Sequence, residues 1–444
     1  MQRAVIRRFG LALAFLAAGL LPATTAQARS IGLIRDAEIE GTLGRFIAPI
    51  TEAAGLGPDS VRIYIVNDDE LNAFVAGGMN LFLHTGLLMR SEDPSQVIGV
   101  VAHEVGHIAG GHLSRVGPAQ RRAAAEMILA TVLGAATAVI GAPALGTAIF
   151  AGGSSFAQEG LMRFSRGQEQ AADQAALTYL DRAGVPARGL ADFFRILDSQ
   201  NVLAVSRGNP FVQSHPLTRA RMQFVESHAA RQSGLSVPAA WTTAHARMVA
   251  KLRAFLRDPR EVLQTYQGDD SVVGRYARAI AHYRMPDLRS ALAEIDALSA
   301  EQPDDPYFHE LKGQMLFENG RIGEAIAPYR EAVRLAPDAP LLRIGLAQAL
   351  IESDQPAAMA EAIERLKEAL QREPENASAW RLLGIAQGRD GQEGRSDVAF
   401  AEYALLIGKP EDARLYARRA ENKIAASDPD WLRLQDILRV LEES

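Results

Sequence analysis

Val97-Ile98-Gly99-Val100-Val101-Ala102-His103-Glu104-Val105-Gly106-His107 is the stretch on which the reading of this chain turns. An apolar run ending in two histidines four residues apart reads as a helix buried under a polar site. Positions i and i+4 share one helix face, so His103 and His107 can offer neutral ring nitrogens to one metal ion. Glu104 lies on the adjacent part of the same surface and can take a proton from the attacking water, the division of labour implied by H-E-x-x-H. The helix is expected to open at Ser95, after Asp93-Pro94, and to run to Arg115, before Gly117-Pro118. Five residues match by chance in long chains, so the surroundings must decide.

A second acidic helix follows at a suitable distance, in Arg166-Gly167-Gln168-Glu169-Gln170-Ala171-Ala172-Asp173. Catalytic zinc takes three protein ligands and a water, and Glu169 completes the set as His, His, Glu. Asp173, four residues on, is the kind of carboxylate to which a ligating histidine donates its other ring proton. The rival third ligand is His112. The longer pattern H-E-x-x-H-x-x-G-x-x-H wants histidine where Leu113 stands, although Gly110 is in place, so His112 reads as a helix-face residue with at most a supporting role.

Working outward, Ile31 to Ala54 has amphipathic helical periodicity, and Val61 to Val66 is strand-like and ends at Asn67-Asp68-Asp69. After the break at Gly77-Gly78, Met79 to Thr85 alternates as a half-buried strand and is expected to be an edge strand facing a bound peptide. Further helices are expected over Gln158 to Gly184, over Leu190 to Asp198 and from Thr218, the last entered through the loop Ser214-His215-Pro216-Leu217. Met127 to Ala151 is long and uncharged; a membrane span, a buried hairpin and a membrane-surface contact compete for it, with Pro143 and the many small residues arguing against a span. Together these give an α+β, mostly helical zincin-type metallopeptidase domain over residues 31–240.

From 241 to 444 the chain reads as stacked helices. Pro303, Pro337 and Pro374 mark a period in the mid-thirties, and Gly313, Leu316, Gly320, Ala325, Tyr329 and Ala332 recur in kind as Gly345, Leu350, Ala362, Leu366 and Ala369. That spacing is the signature of an all-α tetratricopeptide-repeat solenoid of about four units, whose concave face is expected to dock a partner or substrate.

The balance of 53 acidic against 47 basic residues gives no basic field for nucleic acid. The absence of cysteine excludes disulfides, thiolate metal sites and cysteine nucleophiles. Arg3, Arg7 and Arg8, an apolar stretch from Leu11 to Leu21 and Ala26-Gln27-Ala28 read as a signal peptide, residues 1–28, cleaved after about Ala28.

HEVGH, the EQAAD segment, the SHP loop and the tetratricopeptide tail resemble the HtpX-like gluzincin metallopeptidase family, especially its BepA-type periplasmic members. The likeness covers nearly the whole mature chain. It implies one Zn2+ held by His103, His107 and Glu169, Glu104 as general base, and His215 either steadying the oxyanion or filling the metal's open position at rest. It also implies that His215-Pro216 with Arg221 forms the active-site loop, with Arg221 supporting the site beside Asp173, and that Asn72-Ala73-Phe74 with Gly77-Gly78 leads to the substrate-facing strand. The implied setting is the periplasm, the substrates misassembled outer-membrane proteins, the partner the barrel-assembly machinery, and a second activity chaperone-like. Two rivals stand beside it: a chaperone or adaptor with a dormant metal site, and a membrane-integral peptidase anchored through Met127 to Ala151.

Overall fold

The structure, a computed structural model, describes residues 32–57, 60–112, 165–203, 210–353 and 355–443. The expected signal peptide and the apolar segment Met127 to Ala151 lie outside the described residues.

The first domain begins with β1 (Gly32–Ile34) and α1 (Ala37–Ala53), where a single helix from Ile31 was expected. Asp36 decides the difference: its side chain accepts from the Ile39 backbone N–H, capping the helix and leaving the preceding residues extended. Three strands follow, β2 (Arg62–Asn67), β3 (Ala73–Ala76) and β4 (Asn80–His84), in the sheet order β1-β2-β4-β3. β2 and β4 run parallel, Ile65 opposite Leu83, and both outer pairings are antiparallel.

This order corrects the expected edge strand. β4, the core of Met79 to Thr85, is paired on both sides, and among the described residues the edge strands are β1 and β3. Gly77 and Gly78, at φ 55° and 101°, turn β3 tightly back onto β4, a conformation glycine adopts without a Cβ penalty. The sequence reading placed the break correctly but missed the short apolar strand before it.

After α2 (Thr85–Arg90), α3 (Pro94–Ala109) carries the HEVGH residues. Asp93 caps it through the Ser95 N–H, Pro94 occupies the first turn, and it stops at Gly110 rather than reaching Arg115, with Gly111 at φ 63°. α4 (Arg166–Ala183) is opened by a Ser165–Gln168 capping box and closed by left-handed Gly184. α5 (Arg188–Leu203), the short α6 (Pro210–Ser214) and α7 (Arg219–Ala229) complete the domain. Two glycines seven apart set how closely these helices approach α3. A Cβ on Gly99 would lie 2.8 Å from the Leu190 backbone nitrogen of α5, and one on Gly106 2.8 Å from the Ala172 carbonyl of α4.

α8 (Ala239–Leu256) is shared by both domains: Met248 and Leu252 join the peptidase core, Ala250 and Ala254 the solenoid core. The division expected at 240 and 241 therefore falls inside a helix. Beyond α9 (Pro259–Thr265) come antiparallel pairs: α10 (Val272–Arg284) with α11 (Leu288–Glu301), α12 (Pro306–Glu318) with α13 (Ile322–Leu335), and α14 (Pro340–Glu352) with α15 (Pro356–Arg372). α16 (Ala377–Arg389) with α17 (Glu393–Leu406), then α18 (Pro410–Glu421) and α19 (Trp431–Glu443), finish the stack. The repeated small residues make room for an aromatic: the Tyr329 ring lies where a Cβ on Gly313 or Gly345 would sit, at 2.9 and 3.1 Å.

The solenoid also grips the peptidase domain itself. Ala37 packs in the solenoid core, and Glu38 accepts from the Tyr276 hydroxyl at 2.8 Å and pairs with Arg247 at 2.7 Å. Arg247 also pairs with Asp305, and Lys251 reaches Asp36 at 2.7 Å, Glu38 at 3.3 Å and Glu310 at 3.9 Å. Part of the repeat surface thus holds the start of α1. Removing one member of a buried charge cluster strands the others, so Lys251→Met is expected to destabilise the protein by about 3–5 kcal/mol in denaturant unfolding. An unchanged midpoint would show that these charges do not tie the domains together.

Candidate metal centre

α3 points His103, Glu104 and His107 into the interior, and all three are fully buried. α4 brings Glu169 and Asp173 from across the Gly106–Ala172 contact, and the α6–α7 loop brings His215. His215 is fixed by its own backbone N–H, which donates to the Phe211 carbonyl at 2.7 Å, and by stacking on the Phe211 ring at 4.6 Å.

Four side chains converge on one point. The Nε2 atoms of His103 and His107 are 3.1 Å apart. His103 Nε2 lies 3.3 Å from His215 Nδ1 and 3.5 Å from Glu169 Oε2. Glu169 Oε1 lies 3.4 Å from His107 Nε2 and 3.1 Å from His215 Nδ1. Ligands about 2.0–2.1 Å from a tetrahedral metal are separated by about 3.3 Å, so these spacings fit the edges of such a coordination shell. The donor set of imidazoles and carboxylate suits zinc. Of the metal ligands expected from the sequence, all three are brought together, and His215 stands in the fourth position.

The surrounding groups orient this quartet. Asp173 Oδ1 lies 2.9 Å from His103 Nδ1, as expected of the carboxylate behind a ligating histidine. Arg221 grips Asp173 with two bonds of 2.6 and 2.8 Å, reaches Glu169 Oε2 at 2.6 Å and donates to the Pro216 carbonyl at 3.0 Å. One guanidinium thus locks α4 to the loop that carries His215, with Phe194 beneath it. His112 holds a larger part than the sequence reading gave it: its Nδ1 sits 2.9 Å from Nδ1 of His107. The clue was the Gly110-Gly111 pair, which ends the helix and turns His112 back toward the site.

Burial opposes charge throughout the centre. His103 is nevertheless raised to about 9, because hydrogen bonds and charge from Asp173 and Glu169 outweigh its desolvation. His107 is lowered to about 3 by burial, against the pull of Glu169, which favours the neutral ring a metal requires. Burial works to raise Glu169, but hydrogen bonds from His103, His107 and His215 hold it far below the usual carboxylate range. Glu104 is raised, chiefly by burial, which suits a proton acceptor that must later give the proton up.

Known proteins bear on this arrangement in two separate stretches. Residues 35–229 match the model of peptidase family M48. The chain carries an M48 peptidase domain. It is a metallopeptidase, and residues 287–414 of its solenoid match the cytochrome c-type biogenesis protein H TPR domain. The beta-barrel assembly-enhancing protease of Yersinia pestis is 27% identical over 366 residues, 78% of this chain and 72% of that protein. The protein of the same name from Escherichia coli strain K12 is 25% identical over 393 residues, 86% and 79% of the two chains. Metalloprotease YcaL of the same strain matches 195 residues at 28% identity, 42% of this chain and 70% of that one.

Asp173→Asn removes the carboxylate behind His103 and half of the Arg221 clasp, and is expected to weaken zinc affinity about 10–100-fold in competition with a chromophoric chelator. Unchanged affinity would remove Asp173 from the metal's support.

Proposed function

We propose that this chain is a zinc-dependent endopeptidase of the periplasm that hydrolyses misfolded or misassembled outer-membrane proteins. The observation that carries the reading is the buried quartet His103, His107, Glu169 and His215, with donor spacings of 3.1–3.5 Å beside Glu104. A role beside the barrel-assembly machinery is supported by the relatives' name, beta-barrel assembly-enhancing protease, and export by the signal-like residues 1–28. In this reading the peptidase activity belongs to the domain expected over 31–240 and partner binding to the repeats expected over 241–444, with α8 shared between them. Among the described residues no helix is long and apolar enough to cross a membrane.

In this reading His103, His107 and Glu169 hold the metal. When bound, zinc polarises the scissile carbonyl and lowers the pKa of the attacking water. Glu104 takes that water's proton and returns it to the leaving amine. The substrate backbone adds to the free edge of β3, the role first given to Met79 to Thr85. His215 fills the fourth position at rest, its Nε2 3.5 Å from Glu104 Oε1, so the loop from α6 to α7 must move before substrate enters.

Two variants of the mature protein test this on unfolded outer-membrane protein. Glu104→Gln is expected to keep its zinc and lose about 10²–10⁴-fold in cleavage rate; wild-type cleavage would remove Glu104 from catalysis. If this variant still promotes barrel assembly, the repeats also act as a chaperone. His215→Ala is expected to cleave faster than wild type, whereas a slower variant would assign His215 to the reaction rather than to closure.

A further inference from the structure

A second cluster of ligating side chains lies where β2 and β4 end together. We propose that Asp68, Glu70 and His84 form a second divalent-cation site, separate from the centre on α3 and suited to Zn2+. One ligand atom from each of the three lies within 4.8 Å of the others. His84 closes β4, Asp68 follows β2 directly, and the register Val66 opposite His84 brings them together. The His84 ring is 1% exposed, and neither of its nitrogens has a hydrogen-bond partner among the described residues. Its Nδ1 faces Asp68 Oδ1 at 4.0 Å.

A buried imidazole with both nitrogens unmet is costly unless something beyond the described residues meets one of them. A cation does so and also suits the two carboxylates. Burial lowers the His84 pKa to about 4 against the pull of Asp68, so the ring is neutral and ready to ligate. The loop is already shaped around the site: the Asp68 carbonyl accepts from Gly86 N–H at 2.7 Å and from the Thr85 hydroxyl at 2.9 Å, and Asp68 Oδ1 accepts from Glu70 N–H at 2.8 Å. Asp69 between them pairs with Arg257 just beyond α8. One imidazole and two carboxylates, with water completing the shell, give an open site that exchanges more readily than the fully buried centre.

The site also touches the peptidase face. The backbone N–H of His84 donates to the carbonyl of Asn72, the residue before β3, at 3.1 Å. A cation on His84 and Asp68 therefore pins the loop that starts the edge strand beside Glu104.

The proposal does not rest on the assignment of the first metal, and zinc counting separates the two. Equilibrium dialysis of the mature wild-type chain against buffered Zn2+, with elemental analysis, is expected to give two equivalents per chain. Asp68→Asn keeps the acceptor for the Glu70 N–H and should retain the fold by circular dichroism while binding one. His84→Asn should also bind one, and His103→Ala/His107→Ala should keep the equivalent that Asp68→Asn loses. A second equivalent that survives both Asp68→Asn and His84→Asn overturns the proposal. So does a wild-type count of one that Asp68→Asn leaves unchanged.

Discussion

The contact between Gly106 of α3 and the backbone of Ala172 in α4 is the constraint on which the centre depends. Donor atoms 3.1–3.5 Å apart come from two helices distant in sequence, and only their close approach lets Glu169 reach His103 and His107. Ala172 lies one residue from Asp173 and three from Glu169, so the tight spot and the ligands share one stretch of α4. Gly99 repeats the device one heptad earlier against α5, which holds α3 along its length. A side chain at Gly106 would push α4 away, and a shift of less than an ångström is enough to spoil a ligand shell.

Charge imposes the second constraint. Glu104, Glu169 and Asp173 are fully buried around a single guanidinium, that of Arg221. Three carboxylates against one cation leave two negative charges, which a divalent ion balances and a proton on His103 halves, and the two alternatives compete for the same ring. Arg221 meets two of the carboxylates and the Pro216 carbonyl, so it also ties the His215 loop to α4. Movement of that loop would strain the clasp, which gives closure an energetic basis independent of the metal.

Much of this was legible in the sequence because periodicity carries it. Two histidines and two carboxylates, each pair four apart, announced two facing helices, and the prolines and small residues at matched offsets announced the repeats. Three features escaped for physical reasons. β3 is four residues long and was absorbed into the approach to Gly77-Gly78, so an edge position was given to the wrong strand. The part taken by His112 depends on the left-handed turn at Gly111, which no spacing rule predicts. The solenoid's grip on the start of α1 joins residues more than two hundred positions apart, and charges such as Glu38 and Lys251 look like ordinary surface residues until the fold buries them.

The central claim is that His103, His107 and Glu169 hold the metal while His215 completes its shell at rest. X-ray absorption at the zinc edge of the metal-loaded, substrate-free protein tests it directly. The account predicts three imidazoles and one carboxylate around zinc, falling to two imidazoles in His215→Ala. A resting site with two imidazoles that is unchanged by that substitution would contradict it.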